Sequence, residues 1–319
     1  MKRISNASRG FALSIFAFGI FSSHDAIIKT LGAQYSVFQI IFFSTLFAFV
    51  PLTIMMMADR NIDNFRPHHP WLIAIRTVTT IVGMSSAFYA FTVLPLAEVY
   101  ALLFATPLLI TVLSVPVLGE SVGLRRWLAV IVGLLGVMIV LRPGTSEFTF
   151  GHAAALLAAV SSSISSVIVR KIGNEERSAV LILFPMVTSI IVMAMLMPFV
   201  YQPVDLPDLG AMALVGLLAV AAQVAIIGAY RAAPSAAQVA PIQYSQILWA
   251  TMFGLLFFDE VPDLWVGVGA GIIILSGVFV VWREGRTDVS DHSPVTRAAN
   301  LRPDTGLSPK PKAIQIQPK

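Results

Sequence analysis

About ten stretches of this chain are each some 20 residues long and almost wholly apolar, and that length constrains its fold more than any other feature. A bilayer core about 30 Å thick is crossed by about 20 residues of helix. In hydrocarbon every backbone N–H and C=O must find its partner within the protein, so an apolar run of this length has to be helical. The runs fall at 11–30, 37–57, 70–94, 97–118, 125–141, 151–169, 179–201, 209–229, 238–258 and 264–282. Only 12% of residues are charged and the mean hydropathy is +0.82, values outside the range of soluble domains. The expected fold class is an all-α polytopic membrane protein with ten transmembrane helices.

Slid along itself by about 140 residues, the chain comes back into register. Gly10, Ala12, Ser22, Lys29 and Gly32 fall on Gly151, Ala153, Ser163, Arg170 and Gly173. Ala97, Val99, Leu108, Thr111 and Glu120 fall on Ala237, Val239, Leu248, Thr251 and Glu260, and Gly136, Val137 and Arg142 on Gly277, Val278 and Arg283. This predicts a first repeat at 1–144, a second at 145–284 and a polar, disordered tail at 285–319. Each repeat carries five crossings, an odd number, so the second must enter the membrane in the opposite sense to the first. Inverted repeats of this kind are a hallmark of secondary transporters.

Orientation follows from the basic residues, which are retained on the cytoplasmic side. With the N-terminus inside, Lys2, Arg3, Arg9, Arg60, Arg66, Arg125, Arg126, Arg170, Lys171, Arg177, Arg231 and the basic tail are cytoplasmic. Only Lys29 and Arg142 fall outside, where Asp205, Asp208, Asp259, Glu260 and Asp263 gather. Both termini are therefore expected in the cytoplasm. Lys2 and Arg3 before an apolar run imitate a secretory leader, but the segment aligns with the internal run 151–169 and is expected to be the first crossing.

Polar groups at membrane depth are the candidate site residues, because a charge there costs about 2.5–3.5 kcal/mol on insertion scales. His24 and Asp25 lie in the outer half of the first helix, where Asp25 would bind a substrate amine or a proton and His24 would act as a relay. Lys29, one turn on, offers Asp25 a structural ion pair instead. Arg76, early in the third helix, would hold an anionic group or snorkel to the headgroups. Glu98 begins the fourth helix as a coupling carboxylate or a solvated mouth residue. The ninth run is the most polar interior, with Gln238, Gln243, Tyr244 and Gln246 around Pro241. Gln243 and Gln246 share a face as substrate hydrogen-bonders or interhelical contacts, and Trp249 one turn on would stack on a planar substrate or simply pack. Tyr89 and Tyr100 would line an outward cavity or belong to the aromatic belt, as Trp71, Trp127, Trp265 and Trp282 do. The serines 161–163, 165 and 166, and the Gly267-x-Gly269-x-Gly271 string, read as close helix packing.

The duplication and the paired acidic turns, Leu118-Gly119-Glu120 and Phe258-Asp259-Glu260, each followed about 16 residues later by Gly136-Val137 or Gly277-Val278, resemble the EamA-type drug/metabolite transporter superfamily. The resemblance covers roughly residues 10–284. It implies a ten-helix bundle in a bacterial inner membrane, with a central cavity walled by both repeats, carrying metabolites, amino acids, vitamins or drugs. Ser22-Ser23-His24-Asp25-Ala26 to Lys29, and Ala240-Pro241-Ile242-Gln243-Tyr244 leading to Glu260-Val261-Pro262-Asp263, are similar to members that import S-adenosylmethionine or riboflavin. Those importers often carry Arg after the counterpart of Phe42-Phe43, where this chain has Ser44.

An enzyme is disfavoured, since there is no GxSxG, no HExxH and no cluster of His with carboxylates. A channel would need a symmetric ring of filter residues. The expected function is secondary transport of a small organic metabolite, amino-acid-, nucleoside- or vitamin-like, with export of amino acids or drugs as the alternative. The expected partners are that small molecule and the lipid bilayer, with no nucleic acid, no cofactor and no metal, and with monomer or homodimer left open.

Overall fold

The structure is a computed structural model that describes residues 2–57, 66–120, 122–143, 147–173, 175–176, 178–232 and 240–284. Gln238, Arg60, Arg177 and the tail at 285–319 lie outside the described residues. Every described element is helical. In chain order they are α1 (Lys2–Gly32), α2 (Val37–Met57), α3 (Pro70–Val93), α4 (Leu96–Leu103), α5 (Thr106–Leu118), α6 (Leu124–Leu141), α7 (Phe150–Ile172), α8 (Ser178–Val200), α9 (Leu206–Ala232), a 3-10 helix (Ala240–Ser245), α10 (Gln246–Phe257) and α11 (Leu264–Glu284).

Among the described residues eight helical stretches are long and apolar enough to cross a membrane, and Leu264–Val280 is a shorter apolar helix. Two runs expected as continuous helices are broken instead. Leu96–Leu118 divides at Phe104-Ala105, just before Pro107, which enters the first turn of α5. Proline has no N–H to donate and crowds the carbonyl four residues back, so the ladder cannot run through it. The ninth run is a 3-10 segment carrying Pro241 followed by the 12 residues of α10.

Helices of the first half of the chain pack mainly on helices of the second. α1 lies along α9, α3 along α7, α6 along α11, and α2 against both α8 and α9. The middle of α1 meets the second half of α9 through Ala17, Phe18, Phe21, Ala222, Ile226 and Ala229. The beginning of α3 meets the end of α7 and the start of α8 through Ile73, Ile168, Val169, Ile172, Val180 and Leu181. At its other end, α3 delivers Val93 and Leu94 onto Gly151 at the start of α7.

Small residues make these approaches possible. Gly136 and Gly269 bring α6 and α11 together; the Gly267-x-Gly269-x-Gly271 string lies within the helix, but of its three glycines only Gly269 makes a close contact. Ser161 faces Gly83 across the α3–α7 contact, and Ser165 shares a hydroxyl contact of 3.2 Å with Thr80. At Gly216 a β-carbon would collide with the Ser44 carbonyl oxygen and stand 3.0 Å from the Ala48 nitrogen. Outside the bilayer-crossing segments, Arg142 pairs with Asp263 and ties the end of α6 to the start of α11. The Trp265 N–H and the Arg142 guanidinium hold the Asp263 carboxyl below its ordinary value.

Gly216→Ala is expected to destabilise the purified protein by about 1–3 kcal/mol through overpacking. Gly210→Ala, where a β-carbon would meet nothing within 4 Å, should leave the melting curve in place. The Asp263 pairing depresses a carboxyl pKa, so its stabilisation is present above the unfolded carboxylate value of about 3.9 and lost as pH falls below it. The melting temperature of Asp263→Asn should therefore lie below that of the parent at neutral pH and converge with it in acid.

Candidate functional site

Between the two halves lies a cavity. Its wall comes from α1 (His24), α2 (Ser44, Thr45, Ala48), α3 (Thr80, Ile81, Met84, Phe88), α8 (Ile182, Pro185, Met186, Ser189) and α9 (Gly216, Ala219). Its make-up is that of a small-molecule site, a mostly apolar lining with a few convergent polar groups. The hydroxyls of Ser44, Thr45, Thr80 and Ser189 supply neutral hydrogen-bonding capacity, and Ser189 Oγ is buried without a hydrogen-bond partner. His24 is the titratable side chain on the wall.

His24 is backed by a buried polar cluster. Its Nδ1 stands 2.8 Å from Asp25 Oδ1, and its ring meets Phe88 edge-on at 5.8 Å between centroids. Asp25 is fully buried, and its other carboxylate oxygen accepts the Tyr100 hydroxyl from α4. Ser22 Oγ, 3.3 Å from that hydroxyl, closes the chain of contacts. A carboxylate in an apolar bundle is tolerable only with such charge-assisted partners. The arrangement therefore places an imidazole and a carboxyl group in contact, with His24 on the cavity wall and Asp25 behind it.

Lys29 does not pair with Asp25. It reaches forward to Glu260 Oε1 at 2.7 Å and to the Leu94 carbonyl at 2.5 Å, because Glu260 arrives beside the end of α1 from the other half of the chain. Arg76 neither snorkels nor faces the cavity. It is 1% exposed and donates to the Leu181 carbonyl, joining α3 to α8. Glu98 is not a solvated mouth residue, since Oε1 lies 2.9 Å from His152 Nε2. The Thr149 N–H donates to His152 Nδ1 at 3.0 Å, so the ring proton sits on Nε2 and points at Glu98, and the same ring caps α7.

The polar residues of the ninth run stand apart from the cavity wall. Tyr244 packs on Phe104 and closely against Gly277. Trp249 covers Gly19 of α1 and stacks on Phe253. Gln243 is half-buried, while Gln246 is buried with its Nε2 lacking a hydrogen-bond partner. Tyr89 is 40% exposed on the outer surface of α3.

Sequence reasoning missed most of the wall. Thr45, Thr80 and Ser189 are single hydroxyls inside apolar runs, and the available signal was their placement near mid-helix. Ser44 was visible only as a departure from a family pattern. Tyr100→Phe is expected to cost about 1–3 kcal/mol of stability, because the buried Asp25 carboxylate loses a donor. Tyr201→Phe, at a residue 55% exposed, should cost nothing measurable in the same melting experiment.

The EamA-like transporter family matches this chain twice, over residues 8–142 and 149–282. An S-adenosylmethionine uptake transporter of Rickettsia prowazekii is 26% identical over 296 residues, covering 92% of this chain and 98% of that protein. A pseudopaline exporter of Pseudomonas aeruginosa is 24% identical over 84% of this chain and 94% of its own length. A riboflavin transporter of Rhizobium johnstonii is 27% identical over 76% of this chain and 80% of its own. A solved crystal structure at 19% identity superposes with a TM-score of 0.57 over 89% of this chain and 99% of that one, a likeness of fold. With both halves of its helical bundle matched, the chain belongs to the EamA-like transporter family and is a transporter, not an enzyme.

Proposed function

We propose that this protein is a secondary transporter that carries a small organic metabolite across a bacterial inner membrane by alternating access. The reading includes ten crossings arranged as two inverted five-helix repeats, with both termini in the cytoplasm. The observation that carries it is the cavity walled by α1, α2 and α3 of one repeat and α8 and α9 of the other. A site built at such an interface changes its exposure when the repeats rock against each other.

Two further facts support the inverted arrangement. α1 ends beside Leu94 at the end of α3, through Lys29, whereas α7 begins there, through Gly151. The corresponding helices α1 and α7 therefore run in opposite directions along α3. The orientation rests on the distribution of Lys and Arg among the loops.

The proposed substrate contacts are His24, Ser44, Thr45, Thr80 and Ser189, with Met84, Phe88 and Met186 supplying apolar surface. That lining suits a compact, partly polar molecule of the amino-acid, nucleoside or vitamin kind. The relatives include uptake transporters and an exporter, so both directions of flux are read in the test. His24 and Asp25 form the proposed proton-coupling pair.

A melting-temperature screen of the purified protein against metabolite pools should find a ligand that raises the transition, since binding to the folded state alone stabilises it. In vesicles loaded with that ligand, Asp25→Asn is expected to slow transport by tenfold or more while the protein still inserts. Collapse of the pH gradient should slow accumulation in the parent and have little further effect on the variant. Gln246→Leu separates two roles for the buried amide. A structural amide replaced by an apolar side chain leaves stability near the parent and transport intact, whereas a substrate-contacting one loses transport at unchanged stability.

A further inference from the structure

The duplication aligns Lys29 with Arg170 and Glu120 with Glu260. In the folded chain these four residues form two ion pairs, each crossing between repeats. Lys29 Nζ meets Glu260 Oε1 at 2.7 Å, and Arg170 Nη2 meets Glu120 Oε1 at 2.5 Å. In each pair the cation comes from the last turns of the first helix of one repeat. The carboxylate comes from the turn that closes the fourth crossing of the other. Exchanging the two repeats converts one pair into the other.

The pairs sit at opposite ends of the bundle. Lys29 also donates to the Leu94 carbonyl, and Glu260 Oε2 accepts the Leu96 N–H at 2.9 Å, so this pair clasps the turn after α3. Arg170 lies at the end of α7, where α3 begins and the His69 N–H donates to Glu176 Oε1 at 2.6 Å. The 24 residues of α3 separate the two levels by roughly 36 Å at 1.5 Å per residue. A second tier follows the same exchange. Tyr35 donates to Asp208 Oδ2 at 2.7 Å at the first end, and Tyr35 and Asp208 are offset by 141 and 140 residues from Glu176 and His68 at the other.

We propose that Lys29–Glu260 and Arg170–Glu120 are the two gates of the transporter, one for each face, and that the cavity opens toward whichever pair is broken. This deepens the transport reading and rests on it. Charged latches suit the task because water entering an opening mouth hydrates both partners, while removal of one partner from a closed latch strands the other in a dry site. In this conformation both latches are shut. Arg170 and Glu120 are each 3% exposed against 12% and 18% for Lys29 and Glu260, so the Arg170 end is the drier of the two.

The chain contains no cysteine, so Ala219→Cys on the cavity wall provides a unique thiol. Its labelling rate with a membrane-impermeant maleimide is measured in right-side-out and in inverted membrane vesicles, in otherwise native protein and with Lys29→Met or Arg170→Met. Lys29→Met should speed labelling about tenfold from one face and slow it from the other, and Arg170→Met should do the reverse. The double exchange Lys29→Glu with Glu260→Lys should return the rates toward the parent. Glu260→Gln and Glu120→Gln repeat the test where a methionine variant does not accumulate. A shift toward the same face in both single variants, or unchanged rates from both faces, overturns the proposal. Labelling needs no substrate, so failure here alongside a ligand-dependent melting shift would remove the gates and leave the transport reading standing.

Discussion

Neither repeat of this protein can bury its own surface. α1 finds its partner in α9, α3 in α7 and α6 in α11, so the packing that fixes each helix of one repeat is supplied by the other. Lipid offers no hydrophobic drive to bring helices together, which leaves close van der Waals contact and a few polar bridges to hold the bundle. Gly83, Gly136, Gly216 and Gly269 are the glycines that let helices of different repeats approach closely. The bridging polar pairs, from Lys29–Glu260 to Gln39–Gln202, cross the same boundary.

The fold class was legible because it depends on long stretches of sequence. Apolar runs near 20 residues and an offset of about 140 survive local exceptions, and they predicted a helical, duplicated membrane protein. The broken helices were half legible. Pro107 and Pro241 stand in the sequence inside apolar runs, but whether a proline bends or ends a helix depends on its neighbours. At Phe104-Ala105 the chain turns, and at Ala240–Ser245 it tightens into a 3-10 segment.

The site was legible only where a residue carried its own signal. Asp25 and His24 stood out by charge, and the structure places His24 on the cavity wall with Asp25 and Tyr100 behind it. Helical spacing offers Lys29 the Asp25 carboxylate as one alternative, because it reports neighbours within one helix and is silent about Glu260, more than 200 positions away in sequence. The alignment of Lys29 with Arg170 and of Glu120 with Glu260 held the correct pairing in coded form. Reading it required knowing that each repeat closes on the other. Arg76 shows the opposite limit, since depth along a helix says nothing about which face is turned inward.

The contact between α2 and α9 at Gly216 is backbone against backbone, immediately beside the cavity wall at Ser44. Such a junction has no rotamers to exchange and no side chain to compress. In the rocking proposed above, the two helices would tilt about it as about a fulcrum, moving least beside the cavity wall and most toward the two solutions. A bound molecule would then feel its walls nearly unchanged while the mouths above and below it traded places.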